Sequence, residues 1–205
     1  MIRHANHKDL KAIAKIHKES YPEDHFLNEL SLDLIANYYG SFLKYRAIFL
    51  VCGTGGRIYG FLLGGEGGIL NKARNDFIKQ NKCRLTLYVI ARFFSMKFMR
   101  GFLPRIVDLA QNRLRKQLDK RDLPRSRVSC HGLISIAVAN EMKGKDLGKV
   151  LLDKFEDELR KLGVEKCVVS VRKNNFRAIK FYRKSGFCLQ KETAADIRMY
   201  KTFSL

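Results

Sequence analysis

No two of the five cysteines (Cys52, Cys83, Cys130, Cys167, Cys188) form a C-x-x-C pair, and five is an odd number. That spacing excludes a disulfide framework and a structural zinc site, and no metal is assigned. Cys52, Cys130 and Cys167 lie in apolar runs where a thiol acts as a small hydrophobe, so the chain reads as reduced and cytoplasmic. The opening MIRHANHKDL lacks the apolar run of a secretory signal. An uncharged hydrophobic run is also missing: the best spanning candidate, Leu85 to Leu103, carries Arg92, Lys97 and Arg100. Acidic residues are scarce, 20 against 40 basic ones, which gives a net charge of +20. The excess is local. Residues 71–127 hold sixteen Lys/Arg against four Asp/Glu, so an anionic ligand or membrane surface is the partner expected there. Helix-turn-helix, zinc-finger and RNA-binding signatures are missing as well, which disfavours nucleic acid.

What is present suits a single domain of 205 residues with 46% hydrophobic content. Ile2 to Ala5 reads as an entry strand. Asp9, in a cap-like position, precedes a helix with Leu10, Ile13, Ala14 and His17 at helical spacing, and Tyr21-Pro22 stops it. Ser31 is an N-cap candidate for a second helix to about Leu43. Ala47–Cys52 and Ile58–Leu63 are β-rich runs around a glycine-bearing hairpin, and Gly64, Gly65, Gly67 and Gly68 close this section. Residues 71–127 read as a basic helical insertion, with helices around Leu85–Leu103 and Ile106–Leu118 separated by Pro104. From Val128 the pattern is strand (Leu133–Val138), turn (Lys143–Gly148), helix to Leu162 and strand (Cys167–Val171). A helix (Asn175–Ser185) and two strands (Phe187–Gln190, Asp196–Phe203) follow. Alternation of this kind predicts an α/β (α+β) mixed sheet flanked by helices.

The chemistry concentrates in LISIAVANEMKGKDLGKVLL, Leu133 to Leu152. Unpaired amides at a helix start bind anions, and Lys143, Lys145 and Lys149 add charge beside Gly144, Asp146, Leu147 and Gly148. No G-x-x-x-x-G-K-[ST] is present, so this is not a P-loop. A strand and then Asn175-x-x-Ala178-x-x-x-Tyr182-x-x-x-Gly186-Phe187 follow. Read locally, Asn175 suits a helix cap, Tyr182 an apolar helix face and Gly144 a turn.

With these motifs the sequence resembles the GCN5-related N-acetyltransferase (GNAT) superfamily over about Gly132 to Phe187, and in element order over Met1 to Gly65. The resemblance implies a GNAT-like acyl-CoA N-acyltransferase fold and acetyl-CoA as co-substrate. It places Lys143 at the Arg/Gln of the pyrophosphate loop and Gly148 at its final small residue. The loop's first glycine is Asp146 here, a carboxylate that must turn away from a diphosphate or pair with a lysine. Backbone groups of Ile136, Ala137 and Val138 would hold the pantetheine arm, Asn175 would touch the cofactor, and Tyr182 would protonate the leaving thiolate. For the general base, Glu19, His25, Glu66 and His131 all remain open. The expected acceptor is a primary amine of a small molecule such as an amino sugar, with the insertion as a roof. A protein N-terminus or lysine is the competing acceptor, and a nucleic-acid- or membrane-binding module the competing class.

Overall fold

A computed structural model describes residues 1–22, 25–93 and 130–203. The strands among them are β1 Ile2–His4, β2 Ile48–Thr54, β3 Arg57–Glu66, β4 Cys130–Val138, β5 Lys166–Arg172, β6 Cys188–Glu192 and β7 Asp196–Thr202. They form one sheet in the order β1-β2-β3-β4-β5-β7-β6. The helices are α1 Leu10–Ser20, α2 Leu32–Leu43, α3 Gly67–Gln80, α4 Lys82–Phe93, α5 Leu147–Lys161 and α6 Phe176–Lys184. The chain divides into two compact units, residues Met1–Phe77 with Val128–Leu205, and residues Ile78–Arg127. Among the described residues, no helix is long and apolar enough to cross a membrane.

Local chemistry accounts for most of these elements. Gly55 and Gly56 both take positive φ between the paired residues Thr54 and Arg57, as a two-residue hairpin turn of matching twist requires. Ser31 caps α2 by accepting the Leu34 N–H at 3.3 Å. Asp9 does not cap α1. Asn6 caps the short 3-10 turn before it, while the Asp9 carboxylate accepts the Asn6 N–H and two bonds from Arg3 at 2.7 Å. The Arg3 bonds hold that carboxyl below its ordinary value. Cys130 also departs from expectation, being exposed, whereas burial pushes the Cys167 thiol up to about 12.

Ahead of the helical insertion expected from Asn71, helix α3 starts at Gly67, directly after β3. Its buried residues Leu70, Ala73 and Phe77 recur at helical spacing, and Phe77 meets Tyr38 of α2 edge-on at 5.4 Å. That packing outweighs a glycine penalty of about 1 kcal/mol each. Helix α4 begins at Lys82. Its expected continuation to Leu103, the break at Pro104 and the helix Ile106–Leu118 lie outside the described residues.

Side-chain alternation splits the core into two layers. Phe61 of β3 and Phe49 of β2 pack on Tyr39 of α2. On the other face Leu62, Leu133, Leu151, Leu152 and Phe155 join α5 to the sheet, with Tyr182 and Phe187. Two glycines of β3 exist for α5: a Cβ at Gly60 would meet Leu151 at 3.1 Å, and one at Gly64 would meet the Phe155 ring at 2.5 Å. Between Leu63↔Ser135 and Gly64↔Leu133 the register slips, leaving Ile134 as an extra residue in β4. The bulge turns Leu133 and Ser135 to opposite faces.

We expect Gly64→Ala to lower the thermal midpoint, equivalent to about 1–3 kcal/mol of overpacking. Gly67→Ala, which faces open space, should raise stability by about 0.4–1 kcal/mol. Calorimetric melts of both variants check the opposite signs.

Candidate active site

Strands β4 and β5 pair in parallel only from Cys130↔Lys166 to Leu133↔Val169. Past that point both continue without each other, so the sheet opens. On its other side β4 stays paired with β3 to the end, and Ala139 N–H donates to the Tyr59 carbonyl at 2.7 Å. Antiparallel alternation then turns the backbone groups of Ala137 toward Phe61 of β3, and those of Ile136 and Val138 into the opening. Their carbonyls find partners from α1 and the turn after it. Ser20 Oγ donates to Val138 at 3.0 Å and Tyr21 Oη to Ile136 at 3.4 Å. Among the described residues, the Ile136 and Val138 N–H groups meet no acceptor.

Beyond Val138 a 3-10 turn over Asn140–Met142 leads into the loop before α5. Gly144 takes φ 82° and Asp146 takes φ 52°, ψ 11°. Asp146 is thus the one described non-glycine residue in the left-handed region. A glycine meets that demand freely, and aspartate is among the few other residues that tolerate it. Asp146 begins α5 without a side-chain cap, and its carbonyl accepts from Val150. The N–H groups of Leu147, Gly148 and Lys149 have no acceptor among the described residues, which leaves the start of α5 electropositive. Lys143, Lys145, Asp146 and Lys149 are exposed around them, and Lys149 pairs with Asp153. Gly148 sits by the end of the strand: a Cβ there would lie 3.6 Å from Phe181 and 3.8 Å from Val138.

The motif from Asn175 to Phe187 is a complete set of helix instructions. The Asn175 side chain accepts from Ala178 N–H at 3.1 Å and so caps α6. Ala178 packs on the core, Gly186 takes φ 85° just past the helix, and Phe187 N–H returns to the Tyr182 carbonyl at 3.0 Å. Tyr182 is 4% exposed, with Phe181 and Phe187 ring centroids 5.2 and 5.3 Å away. Burial raises its phenol well above the ordinary value, and Tyr21 and Cys167 add to the effect. Tyr21 and Tyr182 belong to opposite faces of the sheet, and Tyr21 reaches Tyr182 electrostatically where β4 and β5 have parted.

The four base candidates separate by position. Glu66 and His131 face each other across β3 and β4, at the end of β4 that lies about 20 Å from Val138 at roughly 3.3 Å per residue. They are too far from the opening to act there. Burial lowers the His131 pKa, with Glu66 partly opposing it. Glu19 adjoins Ser20 and lies 4.0 Å from Lys15. His25 has its ring centroid 4.8 Å from that of Tyr21. Sequence reasoning missed Ser20, Tyr21, Tyr39 and Ser135. Tyr21 was legible only as a helix stop, and its bonds run to residues more than a hundred positions away.

Comparison with known proteins agrees with this geometry. The model of the acetyltransferase (GNAT) family matches residues 10–187. Among curated proteins no sequence matches. Solved structures with the same fold include the PaiA N-acetyltransferase from Thermoplasma acidophilum in complex with coenzyme A. It is 17% identical with a TM-score of 0.59, covering 99% of this chain and 98% of that one. The ribosomal-protein-S18-alanine N-acetyltransferase from Escherichia coli is 18% identical with a TM-score of 0.57, covering 100% and 94%. With most of its length matched by the family model, and a sheet that opens between β4 and β5, the chain belongs to the GNAT family and is an N-acetyltransferase.

Proposed function

We propose that the protein transfers the acetyl group of acetyl-CoA to a primary amine of a small molecule by direct attack on the thioester. One observation carries this reading: free strand amides, free helix-start amides and a buried tyrosine converge on one opening of the sheet. The diphosphate suits the amides of Leu147, Gly148 and Lys149, with Lys143 and Lys145 adding charge and Gly144 letting the loop approach closely. The pantetheine arm suits Ile136 and Val138 as an added strand, while the backbone of Ala137 is engaged by β3. Asn175 caps α6 and from that position reaches toward the same arm.

The amine attacks only when neutral, so its proton must leave first, and His25 and Glu19 stand on the side of the opening where α1 ends. The Val138 N–H suits the oxyanion of the tetrahedral intermediate. When the C–S bond breaks, Tyr182 O–H donates to the sulfur, and its raised pKa keeps it protonated at every working pH. Transfer is direct, so no acyl-enzyme forms.

A compact polar acceptor fits the acceptor side better than an extended peptide. Asn28 Nδ2 donates to the carbonyls of Lys18, Tyr21 and Pro22, folding the turn after α1 back on itself beside the opening. The insertion contributes no wall at its start, because α3 leaves β3 at the end remote from the opening and packs on α2. Protein substrates keep one argument: the Escherichia coli neighbour is named for acting on a ribosomal-protein alanine.

The insertion supports a separate reading, docking on an anionic bilayer surface. Ile78, Leu87 and Ile90 are 53%, 67% and 56% exposed beside Lys79, Lys82 and Arg84, and this mixture of apolar and basic residues suits lipid better than nucleic acid.

Three measurements follow from these assignments. Tyr182→Phe should lower kcat about a hundredfold and leave the KM for acetyl-CoA within about twofold; CoA release with no amine of a broad panel, peptides included, would sink the enzyme reading. Asp146→Gly removes a carboxylate from the helix start and relaxes the left-handed position, so calorimetry should show CoA binding about two- to fivefold tighter. Vesicles containing phosphatidylserine should co-sediment the protein and neutral ones should not, with the difference lost in high salt; steep salt-dependent duplex binding instead would overturn the lipid reading.

A further inference from the structure

Behind the open half of β4 lies a buried chain of hydrogen bonds that the transfer chemistry does not use. His17 Nδ1 is 2.6 Å from Tyr39 Oη, which is 3.0 Å from Ser135 Oγ, which is 2.7 Å from Tyr21 Oη. Tyr21 then reaches the Ile136 carbonyl at 3.4 Å. His17, Tyr39 and Ser135 are 1%, 0% and 4% exposed. The His17 ring stacks on Tyr21 at 4.2 Å and 15°, so both ends of the chain are tied together.

Each hydroxyl has a single proton to donate, so with the Tyr21 proton on the Ile136 carbonyl, Ser135 must donate to Tyr21, Tyr39 to Ser135 and His17 Nδ1–H to Tyr39. Burial holds His17 neutral, with its pKa lowered to about 3 and His25 adding to the effect. The ring therefore has one N–H to place. His17 Nε2 is enclosed and has no hydrogen-bond partner among the described residues. A proton on Nε2 would strand a buried donor and would also take the Tyr39 proton away from Ser135. A proton on Nδ1 uses every donor: His17 to Tyr39, Tyr39 to Ser135, Ser135 to Tyr21, Tyr21 to the Ile136 carbonyl. Orphaned buried N–H groups are rarer than orphaned acceptors, which decides between the two.

We propose that His17 is a positioning residue whose Nδ1–H drives this one-way chain and so occupies the Ile136 carbonyl from behind. Together with the Ser20 bond to Val138, the chain makes the open edge of β4 predominantly a donor edge. Such an edge selects a ligand with carbonyl oxygens in register, as an amide arm ending in a thioester has. The inference rests on the reading that this edge holds acetyl-CoA.

Nitrogen-15 NMR of the imidazole rings tests the direction without any variant. The His17 resonances should report the Nδ1–H tautomer, and in Tyr39→Phe they should move to Nε2–H; an Nε2–H tautomer in the wild-type protein overturns the proposal. Calorimetry with CoA tests the consequence. Tyr39→Phe and Ser135→Ala should each weaken binding about tenfold, and the double variant should be no weaker than either single one, because the chain acts as a unit. Tyr38→Phe, a buried neighbour outside the chain, should leave binding unchanged and so separates a packing defect from loss of the chain. Wild-type binding matched by both single variants overturns the positioning role. No CoA binding by the wild-type protein would instead overturn the reading of the groove, and the tautomer would still decide the chain's direction.

Discussion

After Leu133 and Val169 the two central parallel strands part, and half of β4 is left with a sheet neighbour on one side only. A backbone in that state carries unpaired donors and acceptors that must be satisfied by something else. The protein treats the two kinds differently. The carbonyls of Ile136 and Val138 are met from within, by the hydroxyls of Tyr21 and Ser20. Among the described residues, the amides of the same residues have no internal acceptor, nor do the first amides of α5. An acyl-CoA has the complementary inventory, with carbonyl oxygens along its arm and phosphate oxygens at its far end.

The parting also explains how residues from opposite faces of a sheet come to act together. In a closed sheet the backbone layer would insulate Tyr21, below α1, from Tyr182, on α6. Here the layer is interrupted, and Tyr21 adds to the burial that raises the Tyr182 pKa. The bulge at Ile134 serves the same end, because it turns Ser135 toward Tyr39 and Tyr21 while Leu133 remains in the core under α5. Without the extra residue, Leu133 and Ser135 would share a face, and one of the two layers would lose its anchor.

Elements whose demands are local were legible in the sequence. The motif from Asn175 to Phe187 could be read because each position answers a neighbour within one helix: a cap, a packed alanine, a buried ring and a left-handed stop. Asp146 was legible as a departure, and the structure shows which backbone demand it meets. What escaped is non-local. Ser20, Tyr21, Tyr39 and Ser135 come together only through packing, and no spacing in the chain announces that. Glu66 and His131 looked like acceptor-site residues because they flank the right strands, and only the strand register shows that they stand at the wrong end. Gly67 and Gly68 misled through propensity, since burial of Leu70, Ala73 and Phe77 decided the start of α3.

The same register explains why this fold tolerates a long insertion between β3 and β4. Glu66 and His131 face each other, so the inserted chain leaves and returns at adjacent points of an antiparallel pair. Its closure costs little: each doubling of length adds only about 0.6 kcal/mol. Placed at the other end, between Val138 and α5, an insertion would separate the strand amides from the helix-start amides that the site needs side by side. The sheet is therefore open to growth at one end and constrained at the other. Ile78–Arg127 occupies the permissive connection, which lets a strongly basic unit be added to the chain while the spacing of Val138, Asp146 and Tyr182 stays unchanged.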